Sequence, residues 1–262
     1  MEWVIVPIVA LLASILTLYS GFGLGTLLLP AFALFFPPEL AVAATAVVHG
    51  ANNVFKAATV GRHAEWPLVL RFGAPAMVAA LAGAWLLGRV SGFEPLVTYH
   101  LGSHVAAVTP LKLLMAALMA GFAVLELHPR FEHLEFERRW LLVGGLASGF
   151  FGGLSGHQGA LRSAFLAKAG VEPRALVGTN AWLGLLVDLT RLSAYAALIV
   201  GARGGSLFDE GRGAVIGVGC VAAFAGVLLG KRWLGKVTLR GVQRVTGGLL
   251  LVVAALLASG LA

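Results

Sequence analysis

Two cations, Lys56 and Arg191, lie inside apolar runs 135 positions apart, and each follows a polar side chain by three residues, Asn53 or Asp188. Spacings of three, four and seven place residues on one side of a helix. Thr45, His49, Asn52, Asn53 and Lys56 therefore share one face, and Asn180, Gly184, Asp188, Arg191 and Tyr195 share another. Ionisable groups at membrane depth cost about 2.5 to 3.5 kcal/mol on insertion scales, so they face a cavity or a partner. Two cations beside such stripes have the chemistry of an anion site, in which charge-assisted hydrogen bonds grip an oxyanion. The simpler alternative is that each cation snorkels to the membrane interface. Arg162 is either a third cation of the site or a partner for Asp188, and Asp188 with Arg191 has the spacing of a structural helix pair. His157 and His49 are each either a proton relay, since an unperturbed imidazole titrates near neutrality, or a simply hydrogen-bonded ring.

Each cation lies downstream of a glycine cluster that must shape the site. The apolar run from Trp3 to Phe36 is 34 residues, which as one helix would be roughly 50 Å, whereas a crossing needs about 20 residues. Gly21-Phe22-Gly23-Leu24-Gly25 marks where that helix breaks. The second break falls on Gly152-Gly153-Leu154-Ser155-Gly156-His157-Gln158-Gly159. Broken backbone inside lipid is tolerated only where protein or a water-filled cavity surrounds it, and such breaks mark binding sites. Helices resuming after Gly25 and Gly159 would add free backbone N–H groups and a dipole that favours an anion. The alternative is that the glycines serve only close helix packing.

A shift of 135 places Gly21 on Gly156, Pro38 on Pro173, Thr45 on Asn180, Asn53 on Asp188 and Lys56 on Arg191. With seven further residues in a later loop, Leu86-Leu87-Gly88-Arg89 matches Leu228-Leu229-Gly230-Lys231. The halves differ at the break, where His157 and Gln158 stand for Phe22 and Gly23, and Arg162 for Leu27. The expected fold is an all-α polytopic membrane protein of about eight transmembrane segments in two internal repeats, each with a Gly-broken first segment. The first repeat covers 1–127, a charged linker 128–137, and the second repeat 138–262. A polar stretch at 90–110, a glycine-rich loop at 201–213 and a basic connection at 231–240 join segments. Parallel and inverted repeats both remain open, because the broken segments either cross or re-enter. Lys and Arg are nearly balanced between the two sides of an eight-span chain, so they do not fix orientation.

Composition bounds the function. The chain has 262 residues, 59% hydrophobic and only 12% charged, about half the charge of a soluble domain. Its mean hydropathy is +0.91. A net charge of +7 in a soluble chain would suggest nucleic acid; here the cations are scattered through short loops, so the expected partner is the lipid bilayer and not nucleic acid. Cys220 is the only cysteine, which excludes internal disulfides and cysteine-based metal or redox sites; no metal or cofactor is expected. The first apolar stretch carries Glu2 and no basic leader region, and reads as a retained span. An enzyme reading rests on Gly153-Leu154-Ser155-Gly156, which has the form found around the nucleophile of intramembrane serine proteases. The repeat accounts for the same glycines without catalysis, so no enzyme is expected. An anion channel is the other alternative.

The two halves resemble the TauE/SafE sulfite exporter family, whose halves carry G-x-G-G-G followed by a proline and then P-x-x-A-V-x-T-S. Here the first copy reads Gly21-Phe22-Gly23-Leu24-Gly25, Pro30, then Pro38-Glu39-Leu40-Ala41-Val42-Ala43-Ala44-Thr45. The second reads Gly156-His157-Gln158-Gly159, then Pro173-Arg174-Ala175-Leu176-Val177-Gly178-Thr179-Asn180. Leu24 and Gln158 replace family glycines, and Phe165 stands in place of the proline. The resemblance implies a secondary transporter of sulfite, a sulfonate or a related sulfur-containing anion in the bacterial cytoplasmic membrane. Its substrate contacts are expected among Lys56, Arg191, Asn53, Asp188, Asn52, His49, Thr45, Asn180, Gly23, Gly25, His157, Gln158, Gly159 and Arg162. Proton or sodium coupling and a homo-oligomer are both compatible with it.

Overall fold

A computed structural model describes residues 1–16, 23–102, 104–128, 136–166, 170–201, 211–233 and 239–262. Expectations placed on Gly21 and Phe22, on most of the charged linker, on the loop at 202–210 and on 234–238 lie outside these residues. The helices are α1 (Glu2–Leu16), α2 (Leu24–Ala33), α3 (Pro38–Val60), α4 (Trp66–Ser91), α5 (Pro110–Leu127), α6 (Leu141–Ser155), α7 (Gly159–Leu166), α8 (Pro173–Gly201), α9 (Arg212–Trp233) and α10 (Leu239–Ala258). Prolines open several of them, because a first-turn residue needs no N–H donor. Pro38 begins α3, and Pro110 begins α5 behind Thr109, whose side chain accepts from the Lys112 amide at 3.1 Å.

Among the described residues, α4, α5 and the stretch 212–230 of α9 are long and apolar enough to cross a membrane. Helices α3 and α8, of 23 and 29 residues, are also long, but carry the two polar stripes. The polar stretch at 90–110 departs from helix: β1 (Val97–Leu101) pairs antiparallel with β2 (His104–Val108). The hairpin is tied to the chain's end by the Tyr99 hydroxyl, which donates to the Ser259 carbonyl. Large apolar side chains face outward along α1, α4 and α9, including Ile8, Leu12, Val78, Trp85, Val221 and Leu228. An integral membrane protein turns such a surface to lipid.

The broken segments do not continue across; they turn back. Gly144 of α6 lies against the Phe165 ring of α7, while Ser148 donates to the Gln158 carbonyl at 2.9 Å, so α6 and α7 form an antiparallel hairpin. Gly156, at φ 82°, makes the turn in the left-handed region that favours glycine. In the first half, Gly23 at φ 108° opens α2, and α2 runs back along α3, from Thr45 and His49 at its start to the short connection before Pro38. All ten residues of α2 are buried, as an evenly apolar helix requires.

The second break is shorter than the run Gly152–Gly159. Helix α6 continues through Gly152 and Gly153 to Ser155, and only 156–158 leave it. These glycines pack instead of breaking: a Cβ at Gly145, Gly149 or Gly153 would sit 2.4, 2.0 or 2.0 Å from the carbonyl oxygens of Phe72, Ala76 and Ala80. A small-residue stripe at every fourth position thus lets α4 and α6 touch backbone to backbone, running the same way.

The other pairings follow the same register logic. Gly219 and Gly226 of α9 meet Val6 and Leu11–Ser14 of α1, so that pair is parallel too. Helices α3 and α8 cross antiparallel: Gly50 meets Asp188 and Leu192, whereas Val60 and Ala64 meet Gly178. Helices α5 and α10 are also antiparallel, with Leu127 against Gly247 at one end and Lys112 Nζ donating to the Gly260 carbonyl at 3.2 Å at the other. The larger apolar core joins α1, α2, α3, α5, α9 and α10; a second joins α4, α6, α7 and α8.

Candidate functional site

The antiparallel crossing of α3 and α8 brings the two polar stripes face to face, and the turn between α6 and α7 closes over them. At the centre lies Asp188, with no exposed surface. Its Oδ1 accepts from Gln158 Nε2 at 3.0 Å and from Arg191 Nε and Nη2 at 3.0 and 2.8 Å. Its Oδ2 accepts from Asn53 Nδ2 at 3.0 Å and from His49 Nδ1 at 2.6 Å. A carboxylate only accepts, so His49 Nδ1 carries the hydrogen and cannot also receive one from Asn53, 3.1 Å away. Asn53 and Asp188 are the residues that the offset of 135 relates, and they bond to each other. The Asn53 amide fits only because Gly184 stands opposite; a Cβ there would lie 2.5 Å from Nδ2.

The three cations are used differently. Arg191 is fully buried and committed inward: beyond Asp188, its Nη1 donates to the Gly152 carbonyl at 3.2 Å. That carbonyl is available near the end of α6, where the helix's last acceptors lack intrahelical donors. Arg162, on the first turn of α7, donates from Nε to Asn180 Oδ1 at 3.0 Å and from Nη1 to Gln158 Oε1 at 3.2 Å, both neutral oxygens. Lys56 is 9% exposed, and its ammonium makes no hydrogen bond or ion pair with the described residues. The charge acting on it is that of Arg162, of the same sign. Among the described residues, three buried cations thus lie near one carboxylate that already has five donors. A cluster of this kind has the chemistry to hold an anion.

The two breaks meet here. A Cβ on Gly25, in the first turn of α2, would lie 3.2 Å from the Gly156 carbonyl, 3.7 Å from the His49 ring and 4.0 Å from Thr45. Around this point, buried polar atoms stand without partners: Thr45 Oγ1, Asn52 Nδ2 and His157 Nε2. Asn52 uses only its oxygen, which accepts from Ser14 of α1 at 3.1 Å. Thr45, Asn52 and Lys56 are seven and four residues apart, on one face of α3, and span about 16 Å of its length. Each offers a donor that no protein group takes. Gly159 begins α7 and is buried, and Gly23 caps α2.

Ser155 and His157 are 3.0 Å apart, but the polarity is wrong for a nucleophile and its base. The Ser155 hydroxyl donates to the Phe151 carbonyl at 3.2 Å, so it accepts from His157 Nδ1–H. The ring is held flat against Phe122 of α5, 4.6 Å between centroids and 9° between planes. Several supporting groups were not among the expected contacts. Ser14, Ser148 and Gly152 place Asn52, Gln158 and Arg191, and the Tyr195 hydroxyl donates to the Gly153 carbonyl. Tyr195 and Gly184 lie on the second stripe and were legible from its period. Ser14 and Ser148 were not, being single hydroxyls in apolar helices.

A family model described as "Sulfite exporter TauE/SafE" matches residues 6–257. No curated protein and no solved structure matches the chain.

Proposed function

The chain belongs to the TauE/SafE sulfite exporter family, and on that premise we propose that it is a secondary transporter carrying sulfite, or a sulfonate of similar size, across a bacterial cytoplasmic membrane. The observation that carries this reading is the buried Lys56 ammonium, which among the described residues has no hydrogen bond or ion pair and lies beside the open donors of Asn52 and Thr45. A doubly charged oxyanion at Lys56 would satisfy its ammonium, and would step along the open donors of Asn52 and Thr45 toward the meeting of the breaks.

The pairing of helices supports alternating access. Exchanging α1 to α5 for α6 to α10 turns the α1–α9 contact into α6–α4 and the α3–α9 contact into α8–α4, while α3–α8 and α5–α10 map onto themselves. The equivalent helices α3 and α8 run antiparallel, which supports two repeats of inverted topology about an axis through Asn53 and Asp188. In each repeat the re-entrant hairpin returns to its own side, leaving three crossings, an odd number, as inversion requires. Such repeats rock against each other around a fixed midplane site.

The test is flux of sulfite, thiosulfate, sulfate and small sulfonates into proteoliposomes containing the purified protein. Saturable flux that is accelerated by unlabelled anion on the opposite side supports the reading. Non-saturating conduction would make the protein a channel, and absence of flux for every anion tested would remove the proposed substrate class.

A further inference from the structure

Glu126 is unexplained by the anion site. It lies in the last turn of α5 and is 3% exposed, and neither carboxylate oxygen has a hydrogen-bond partner. The neighbouring Leu127 packs on Gly247 of α10, and Thr246, next to that glycine, is likewise buried with an unpartnered hydroxyl. One turn earlier, about 6 Å along the axis, Phe122 is stacked on His157 of the second break, so Glu126 lies one turn from the contact between α5 and that break.

Among the described residues, the surroundings supply no counter-charge. On its own helix the titratable groups are Lys112, at the far end and bonded to the Gly260 carbonyl, and His128 just beyond. The elements packed on α5 bring Arg240 and Arg244 of α10 and Arg71 and Arg89 of α4, all exposed, and Glu39, His49 and Lys56 of α3. His157 reaches α5 only through the Phe122 ring. None of these forms a hydrogen bond or ion pair with Glu126. A buried carboxylate with two orphaned oxygens and no cation among the described residues is costly, whereas a neutral acid is tolerated.

We propose that Glu126 is the proton-binding group of the transport cycle. It takes a proton from water, forming the O–H bond of a carboxylic acid, when the α5–α10 seam is open to one side; it is sealed as the neutral acid in the arrangement described here; and it returns the proton to water when the other side opens. The Phe122–His157 stack ties its helix to the break that holds the anion, which is how the two events stay in step. This rests on the transport reading of the site.

Two measurements on the purified protein test it separately. By infrared difference spectroscopy at neutral pH, the wild type shows the carbonyl stretch of a protonated carboxylic acid. The band shifts down in heavy water and is lost in Glu126→Gln. In proteoliposomes, Glu126→Gln, which mimics the neutral acid and so keeps the fold, retains sulfite exchange but loses the uphill accumulation driven by a pH gradient. Glu126→Asp recovers part of that accumulation. Identical carbonyl spectra in wild type and Glu126→Gln, or undiminished uphill accumulation in Glu126→Gln, would overturn the proposal. The infrared arm needs no substrate, so it decides the proton site even where no sulfur anion is moved and the transport reading itself fails.

Discussion

Removing the Lys56 ammonium should separate binding from folding more cleanly than any other change at the site. Its Nζ bonds to no group of the described residues, and its charged neighbour, Arg162, repels it, so Lys56→Ala unpairs none of them. The melting temperature should therefore hold or rise. A bound oxyanion, by contrast, loses one charged hydrogen bond, worth about 1.5 to 3 kcal/mol, and affinity should fall roughly 10- to 150-fold. Arg191→Ala predicts the opposite profile. It strips two donors, at 3.0 and 2.8 Å, from a fully buried Asp188 and one, at 3.2 Å, from the Gly152 carbonyl. Breaking a buried pair in this way costs about 3 to 5 kcal/mol of stability. The assay is calorimetric titration of sulfite into purified protein, beside thermal melts in the same detergent. Wild-type affinity in Lys56→Ala, or a melt depressed as far as that of Arg191→Ala, would refute the assignment of Lys56 as the open anion contact.

Three further outcomes are expected. Asn53→Asp replaces a donor 3.0 Å from Asp188 Oδ2 with a second carboxylate, and should lower stability by about 1 to 3 kcal/mol in a melt; adding Asp188→Asn should restore part of it, because one carboxylate and one amide again face each other. Gly153→Val forces α4 and α6 apart, since even a Cβ would stand 2.0 Å from the Ala80 carbonyl; a loss of about 1 to 3 kcal/mol or more is expected, while Gly121→Ala, with nothing within 4 Å, serves as a neutral control in the same melts. Gly25→Leu should lower the melt less than Gly153→Val, whose Cβ meets backbone at 2.0 Å and not 3.2 Å, yet abolish flux in proteoliposomes, because its side chain fills the approach to the Gly156 carbonyl where the breaks meet.

Much of this protein is written in local pattern. The two polar stripes, their offset of 135 and the glycine clusters are legible because a helix repeats every 3.6 residues and a polar residue is conspicuous against an apolar run. Prolines at 38, 110 and 173 likewise announce helix starts through their own covalent geometry. What local pattern does not carry is the partner across space. Lys56 and Arg191 occupy equivalent positions, yet Arg191 is closed onto Asp188 while Lys56 stays open, because the α6–α7 hairpin delivers Gln158, Gly152 and Arg162 to one side of the α3–α8 crossing only. The same limit applies to the glycines. Gly152, Gly153 and Gly156 are chemically identical along the chain, and only the backbone of α4 beside α6 decides that Gly153 packs within a helix while Gly156 turns it back on itself. Charge, periodicity and breaks belong to the sequence; which charge is left unpaired depends on the direction in which two helices cross.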